Sequence, residues 1–327
     1  MGKKPKKILI MRLGAIGDVV HTTIIAQAIK KSHPDWIIDY LTQSEIAPIL
    51  ENNPYIDNIH KWDTSKRKSI KYLMSTGIEL LKQRYDVVFC LTYAIRNFLL
   101  SIMSFPKQIV LRKYTKGLWV EDFFESAKSI FPEIKKPKTL CLVPNKKQLL
   151  EVKERLKKYP KPHIMFIAGG DTDSHRQGRI WNIDKWKELS EELLKIYGGT
   201  IFVCGSKWEK KYHQILENDN VVITSGDYSL SGTSALLSQA DIVISGDTGT
   251  LHIASAHNVK TLALLGSTSP DKIKPYGENG HYISANTGCK YCWQKKCKYL
   301  KNGGKYTPCM ENITVSMVLD KVKEIFD

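Results

Sequence analysis

Three small-residue turns in the second half of the chain carry side chains suited to holding a diphosphate. The first is Gly246-Asp247-Thr248-Gly249, between the apolar run 242–244 and a helix bearing His252 one turn in. A helix N-terminus offers unpaired N–H groups and the positive end of a dipole, which suits a phosphate. Gly249 lets a ligand approach the backbone closely. The same residues also fit an ordinary strand-to-helix turn capped by Asp or Thr. The second turn runs from Gly169 through Thr172 to Arg179. It mixes backbone, hydroxyl and guanidinium donors, as a diphosphate site would, or is a solvated loop. The third, Gly266-Ser267-Thr268-Ser269-Pro270, adds hydroxyls at the same sheet edge.

The first half has one comparable loop, where Gly14, Gly17 and Asp18 lie between an apolar strand and a helix that carries His21. Its glycines do not follow G-x-G-x-x-G, and Asp18 would set a negative charge beside any phosphate there, so dinucleotide binding is not expected. A carboxylate at a helix start can instead serve as a general base, or simply complement the helix dipole. Arg96 is either a ligand for an acidic group or a solvated helix charge.

Four of the seven cysteines form the series Cys289-x2-Cys292-x4-Cys297-x11-Cys309. That spacing has metal-ligand character and makes a structural zinc or iron site one reading. Free or disulfide-forming thiols are the other. Cys90, Cys141 and Cys204 lie in or near strand-like runs and read as core residues.

These loops need a scaffold that brings strand ends together. Strands are predicted over 7–13, 37–42, 56–62 and 86–91, with helices over 18–31, 44–51 and 70–82. The apolar stretch 87–105 reads as a buried strand followed by a helix. After a Lys/Pro-rich zone and a helix over 149–158, Tyr159-Pro160-Lys161-Pro162 reads as a linker. The alternation then restarts, with strands over 163–168, 200–204, 221–224, 242–245 and a last one over 261–265. Helices are expected over 183–197, 208–216, 231–238 and 249–257. A final helix over 315–326 has Thr314 as its cap. Such βαβ alternation gives parallel sheets covered by helices, with ligands beyond the strand C-termini. Two domains are expected, 1–158 and 163–327, with a cleft between them.

With 327 residues and 42% hydrophobic content, the chain fits a two-domain globular protein. Its net charge of +16 favours an anionic partner: nucleic acid, a membrane surface or a phosphorylated substrate. The lysines are spread over both halves without a nucleic-acid motif, so nucleic acid is not expected. The apolar run after the Lys-rich start is too short for an export signal, so the expected location is cytoplasmic.

In order along nearly the whole chain, the motifs resemble the glycosyltransferase family 9 heptosyltransferases, which build the inner core of lipopolysaccharide. The start Ile8-Leu9-Ile10-Met11-Arg12-Leu13-Gly14-Ala15-Ile16-Gly17-Asp18 is similar to that family's N-terminal signature. Asn53-Pro54-Tyr55-Ile56-Asp57 resembles a recurring family segment. Gly246-Asp247-Thr248-Gly249 with His252, the Gly266–Pro270 turn and Pro275-Tyr276-Gly277 resemble its donor-site signature.

The resemblance implies a GT-B fold, an α/β architecture of two Rossmann-like doubly wound domains facing a cleft. It implies inverting transfer from an ADP-sugar to the anionic inner core, with no cofactor required and peripheral contact with the cytoplasmic face of the inner membrane. Asp18 matches the proposed base, and Arg179 the basic residue, usually Lys, that neutralises the leaving diphosphate. Gly169, Thr172, Asp247, Thr248, Gly249, His252 and Thr268 fall to the donor, and Glu209 to the donor ribose. Gly14, Gly17, His21 and Arg96 fall to the acceptor. The family's Asp-Leu-Gln-Gly-like run is replaced here by Cys90-Leu91-Thr92-Tyr93-Ala94-Ile95-Arg96-Asn97. That change leaves the acceptor open, with a protein side chain as the alternative to the lipid core.

Overall fold

The computed structural model describes residues 6–92, 94–169, 177–285, 287–289, 291–293, 297–300 and 306–326. The chain divides into two compact units, Met1–Val143 and Pro144–Asp327. The division falls ahead of the Pro-rich stretch 159–162, so residues 144–158 fold with the second unit.

In the first unit the elements are β1 (Lys7–Met11), α1 (Ile16–Ser32), β2 (Ile37–Gln43), β3 (Asn58–Trp62), α2 (Ile70–Lys82), β4 (Val87–Cys90), α3 (Ile95–Met103), β5 (Gln108–Leu111) and α4 (Trp119–Lys128). The five strands are parallel in the order β3-β2-β1-β4-β5. Residues 8–11 of β1 are buried on both faces, which is why that central strand reads as an unbroken apolar run. The expected helix over 44–51 is only a 3-10 turn, Ala47–Ile49, because Pro48 cannot continue an α-helix. Every residue from Val19 to Ile29 of α1 is buried. The sequence pattern shows one apolar face; the other is covered by α4.

The second unit contains α5 (Lys146–Leu156), β6 (His163–Ile167), α6 (Ile183–Tyr197), β7 (Thr200–Val203), α7 (Lys210–His213), β8 (Val221–Ile223), α8 (Leu230–Leu237), β9 (Ile242–Gly246), α9 (Gly249–Ala256), β10 (Lys260–Leu264), α10 (Pro270–Ile273), β11 (Gly280–Ile283), α11 (Pro308–Glu311) and α12 (Val315–Phe326). Its parallel sheet has the order β11-β10-β9-β6-β7-β8. Two expectations need correcting here. The strand over 261–265 is not the last, because β11 pairs with β10 at the sheet edge. The helix over 208–216 is broken into a 3-10 turn, the single turn α7 and a second 3-10 turn. Helix α5 packs on α8, which accounts for its place in this unit. Thr314 Oγ1 accepts a hydrogen bond from Met317 N at the start of α12, and α12 packs on α6 and β11.

In each sheet the strand order reverses once, between β1 and β4 and between β6 and β9. Loops at such a reversal diverge to opposite faces and leave a crevice beyond the strand C-termini, where ligands of doubly wound sheets bind. Among the described candidate residues, Gly14, Gly17, Asp18, His21, Arg96, Gly169, Arg179, Asp247, Thr248, Gly249 and His252 lie on or just after these loops, whereas Glu209 follows β7 and Thr268 follows β10.

Candidate active site

In the first unit the loop after β1 carries Arg12 and Gly14 and opens α1, whose first turn holds Gly17 and Asp18. Ala15 caps this helix at a left-handed φ of 59°, an uncommon conformation for a residue with a Cβ, which sets the entry angle of α1. Arg12 spans the reversal point: its Nη1 donates to Leu91 O, beyond β4, at 2.7 Å, and its Nη2 donates to Asp18 Oδ2. Among the described residues no hydrogen bond engages Asp18 Oδ1. Asp18 is therefore held by one oxygen and offers the other. Both side chains are largely buried, at 15% and 14% exposure.

One turn further, His21 is buried and its pKa is lowered to about 3 by that burial, with Arg112 and Arg12 adding in the same direction. His21 is thus a neutral imidazole. Arg112 follows β5 directly and is anchored by Asp122 of α4. Its Nη2 donates to Asp122 Oδ2 at 2.7 Å, and the other carboxylate oxygen accepts from Thr115 N and Oγ1. The guanidinium lies over the rings of Tyr114, Trp119 and Phe123. Arg96 is half-buried near the start of α3, and its Nη1 has no hydrogen-bond partner among the described residues. Arg12 is thus paired with Asp18 and Arg112 with Asp122, while Arg112 and Arg12 both act on His21.

In the second unit the reversal point is flanked by Gly169, after β6, and Asp247, after β9. Thr172 lies outside the described residues. Arg179 closes the loop from β6 in a 3-10 turn, and its Nε stands 2.9 Å from Asp247 Oδ2. The backbone is crowded here. A Cβ on Gly246 would lie 2.7 Å from Arg179 O, and one on Gly266 would lie 2.5 Å from Gly178 O. Ser267 N donates to Gly178 O at 3.0 Å. The three turns singled out in the sequence therefore converge. Thr248 caps α9, with Leu251 N donating to its Oγ1, while Gly249 is the first helical residue and His252 is buried. The buried hydroxyl of Thr268 has no hydrogen-bond partner among the described residues. A polar atom of that kind normally finds a partner, and a ligand oxygen would supply it.

Glu209 is buried near Gly169 and accepts from Ser206 N and Oγ at 2.7 and 2.6 Å. Beside it lies His213, which sequence reasoning missed. Burial lowers its pKa to about 4, its Nδ1 bonds Ser225 Oγ at 2.7 Å, and its Nε2 has no partner among the described residues. A Cβ at Gly169 would meet Glu209 Oε1 at 1.9 Å and His213 Nε2 at 3.2 Å, so the glycine leaves room in front of both.

All seven cysteines are free thiols, and among the described residues no group of three or more His, Cys, Asp or Glu could hold a metal ion. Burial raises the Cys309 pKa, Thr307 lowers it, and the charges of Cys289, Cys297 and Cys292 raise it further, so the four thiols lie near one another. Cys309 and Met310 instead pack beneath Gly266, and Trp293 N donates to Ser267 O at 3.0 Å. The segment buttresses the third turn. Cys90 and Cys204 are buried as expected, while Cys141 is half-buried and outside any strand.

The model of glycosyltransferase family 9 (heptosyltransferase) matches residues 101–302, more than half of the chain. The protein belongs to glycosyltransferase family 9. This family 9 glycosyltransferase is 25% identical to lipopolysaccharide heptosyltransferase 1 of Campylobacter coli over 98% of its own length and 99% of the relative's. Its fold matches a family 9 glycosyltransferase of Veillonella parvula with a TM-score of 0.86 and 16% identity, covering 100% and 98% of the two chains. It matches the ADP-heptose lipopolysaccharide heptosyltransferase II of E. coli with a TM-score of 0.80 and 18% identity, covering 98% of each. Two parallel-sheet α/β units in this arrangement of elements are the GT-B fold.

Proposed function

We propose that this family 9 enzyme transfers L-glycero-D-manno-heptose from its ADP derivative to the anionic inner core of lipopolysaccharide, with inversion at the anomeric carbon. The donor would bind the second unit and the acceptor the first. Support comes chiefly from Arg179, fixed by Asp247 at the β6/β9 reversal, and from the buried Thr268 hydroxyl, which has no hydrogen-bond partner among the described residues, on a turn bonded to Gly178 through Ser267. A fixed cation, a helix N-terminus and a waiting hydroxyl donor are what a departing diphosphate needs, since preorganised charges stabilise developing negative charge at little reorganisation cost. Glu209, with His213 beside it, would take the ribose.

In the first unit Asp18 Oδ1 would accept the proton of the acceptor hydroxyl as that oxygen attacks the anomeric carbon. The C–O bond to the diphosphate breaks as the new glycosidic bond forms, and ADP leaves with its charge held by Arg179 and the start of α9. Arg12 keeps Asp18 in place through its second hydrogen bond to Leu91 O. Gly14 and Gly17 leave room for the acceptor beside the neutral His21. No step is routed through a metal. Arg96 and Arg112 would meet acidic or phosphorylated groups of the acceptor, which favours the lipid core over a protein side chain. The lipopolysaccharide heptosyltransferase similar over almost its whole length supports the same choice. Acting on a lipid-borne acceptor, the enzyme would work at the cytoplasmic face of the inner membrane as a peripheral protein. Among the described residues no helix is long and apolar enough to cross a membrane.

A thermal-shift screen with ADP, UDP, GDP and CMP tests the donor half. ADP alone should raise the melting temperature. An equal response to all four, or a preference for UDP, would overturn the assignment.

A further inference from the structure

We infer that the outer faces of α2 and α3 together form a docking surface for an anionic lipid bilayer. Along α2, Ile70, Met74, Ile78 and Leu81 recur at helical spacing and are all exposed, although an exposed helix face is ordinarily polar. On α3 the same holds for Ile95, Phe98, Leu99 and Ile102. The two helices pack side by side. Their seam is Gly77 against Met103, where a Cβ on the glycine would lie 2.2 Å from Met103 Cε. The apolar stripes therefore join into one face. Phe105, just past α3 and hydrogen-bonded through its N to Ile102 O, is 83% exposed and held at a φ of 46°. A bulky residue in that strained conformation with its ring in solvent is a cost that packing within the chain does not explain. Isolated exposed apolar residues are ordinary, but eight on one face mark an interaction surface.

Charge decides what covers it. Between residues 64 and 107 the chain has eight basic residues, Lys66, Arg67, Lys68, Lys71, Lys82, Arg84, Arg96 and Lys107, against two acidic ones, Glu79 and Asp86. Asp86 is engaged by Lys107, and Glu79 lies against His60. Arg67, Lys68, Lys71 and Lys82 are exposed and make no ion pair among the described residues. A second copy seated on this face would bring like-charged rims together. An anionic bilayer answers both features: side chains such as Phe, Ile and Leu enter the headgroup–acyl boundary while Lys and Arg meet anionic headgroups.

The inference rests on the peripheral-membrane part of the proposed function and not on the chemistry of transfer. The test is flotation of the full chain with vesicles of phosphatidylcholine alone or mixed with phosphatidylglycerol, at low and high salt. The ADP melting shift and the sedimentation coefficient are read on the same preparations. The wild type should float with the anionic vesicles, and salt should weaken that binding. The triple variant Ile78→Glu/Phe98→Glu/Ile102→Glu should lose about tenfold or more of it, and Lys68→Glu/Lys71→Glu should lose a similar share. Both should keep the wild-type ADP shift, which shows that they are folded. Wild type that ignores anionic vesicles, or a triple variant that floats as well as wild type, overturns the docking. So does a wild-type dimer that the triple variant converts to a monomer, since the face would then belong to a second copy. Failure of flotation with the ADP shift intact refutes the docking alone; absence of any ADP shift in the wild type refutes the donor assignment instead.

Discussion

Replacing Asp18 with Asn isolates proton transfer from everything else the site does. Arg12 Nη2 donates to Asp18 Oδ2, and Arg12 is itself held by Leu91 O. In the Asn variant the amide oxygen must take the Arg12 hydrogen bond, because an NH2 group there would face another donor. The NH2 then occupies the place of Oδ1, and a hydrogen points where the acceptor hydroxyl needs a lone pair. The side chain keeps its shape and loses its basicity. General-base catalysis contributes about 10²–10⁴-fold, so kcat should fall by that factor, equivalent to about 3–5 kcal/mol in the barrier. Donor affinity should stay within about twofold, because Arg179, Asp247, Thr248 and Thr268 belong to the other unit. A coupled assay of ADP release gives kcat, and calorimetry gives ADP affinity. A variant that retains kcat within about fivefold of wild type would refute the assignment of Asp18 as base.

Arg179→Ala should weaken donor use by about 10–100-fold in kcat/KM, the scale of a lost charge-assisted hydrogen bond, with Arg179→Lys recovering part of it; unchanged donor kinetics would remove Arg179 from the diphosphate site. Gly246→Ala forces a Cβ to within 2.7 Å of Arg179 O. It should cost about 1–3 kcal/mol of stability and raise the donor KM, readable by denaturant unfolding and steady-state kinetics. His21 and His213 have folded pKa values lowered to about 3 and about 4 by burial. Below pH ~6.5 the unfolded chain takes up protons that the folded chain refuses, so their contribution is complete above that pH and is lost as pH falls towards 4. The loss is about 1.4 kcal/mol per pH unit per group, and His21→Gln should flatten it in urea titrations at stepped pH. His60, its pKa raised chiefly by the Asp39 hydrogen bond, acts in the opposite sense, stabilising below its unfolded pKa and losing that contribution as pH rises through the folded one. Dialysis against EDTA should leave transfer unchanged, measured as ADP release before and after; loss restored by zinc or iron would assign a metal role to the cysteine segment.

The strands at the centre of each sheet were legible because burial on both faces forces an unbroken apolar run, as in 8–11 and 242–244. The edge strands β5 and β11 were not, being four residues long and partly exposed, which leaves little period or composition to detect. Pro48 was visible, yet the apolar residues around it suggested a longer helix than a proline permits. The three converging turns of the second unit could be found because glycine, hydroxyl and charge cluster within a few residues of a strand end. Arg12, Arg112 and His213 acquire their roles from Leu91, Asp122 and Ser225, respectively 79, 10 and 12 residues away. Nothing local in the sequence marks such pairings. The cysteine spacing was legible as a pattern, but the packing of Cys309 and Met310 beneath Gly266 was not, because it joins residues more than forty positions apart.

Heptose transfer is tested most directly by mass spectrometry of a heptose-deficient lipopolysaccharide core incubated with the purified full chain and the ADP-heptose donor. A single heptose should be added in the anomeric configuration opposite to that of the donor, with ADP released in equal amount, and no product should form from UDP- or GDP-sugars. An unmodified core in the presence of a donor that the protein demonstrably binds, or a product with retained configuration, would contradict inverting heptose transfer.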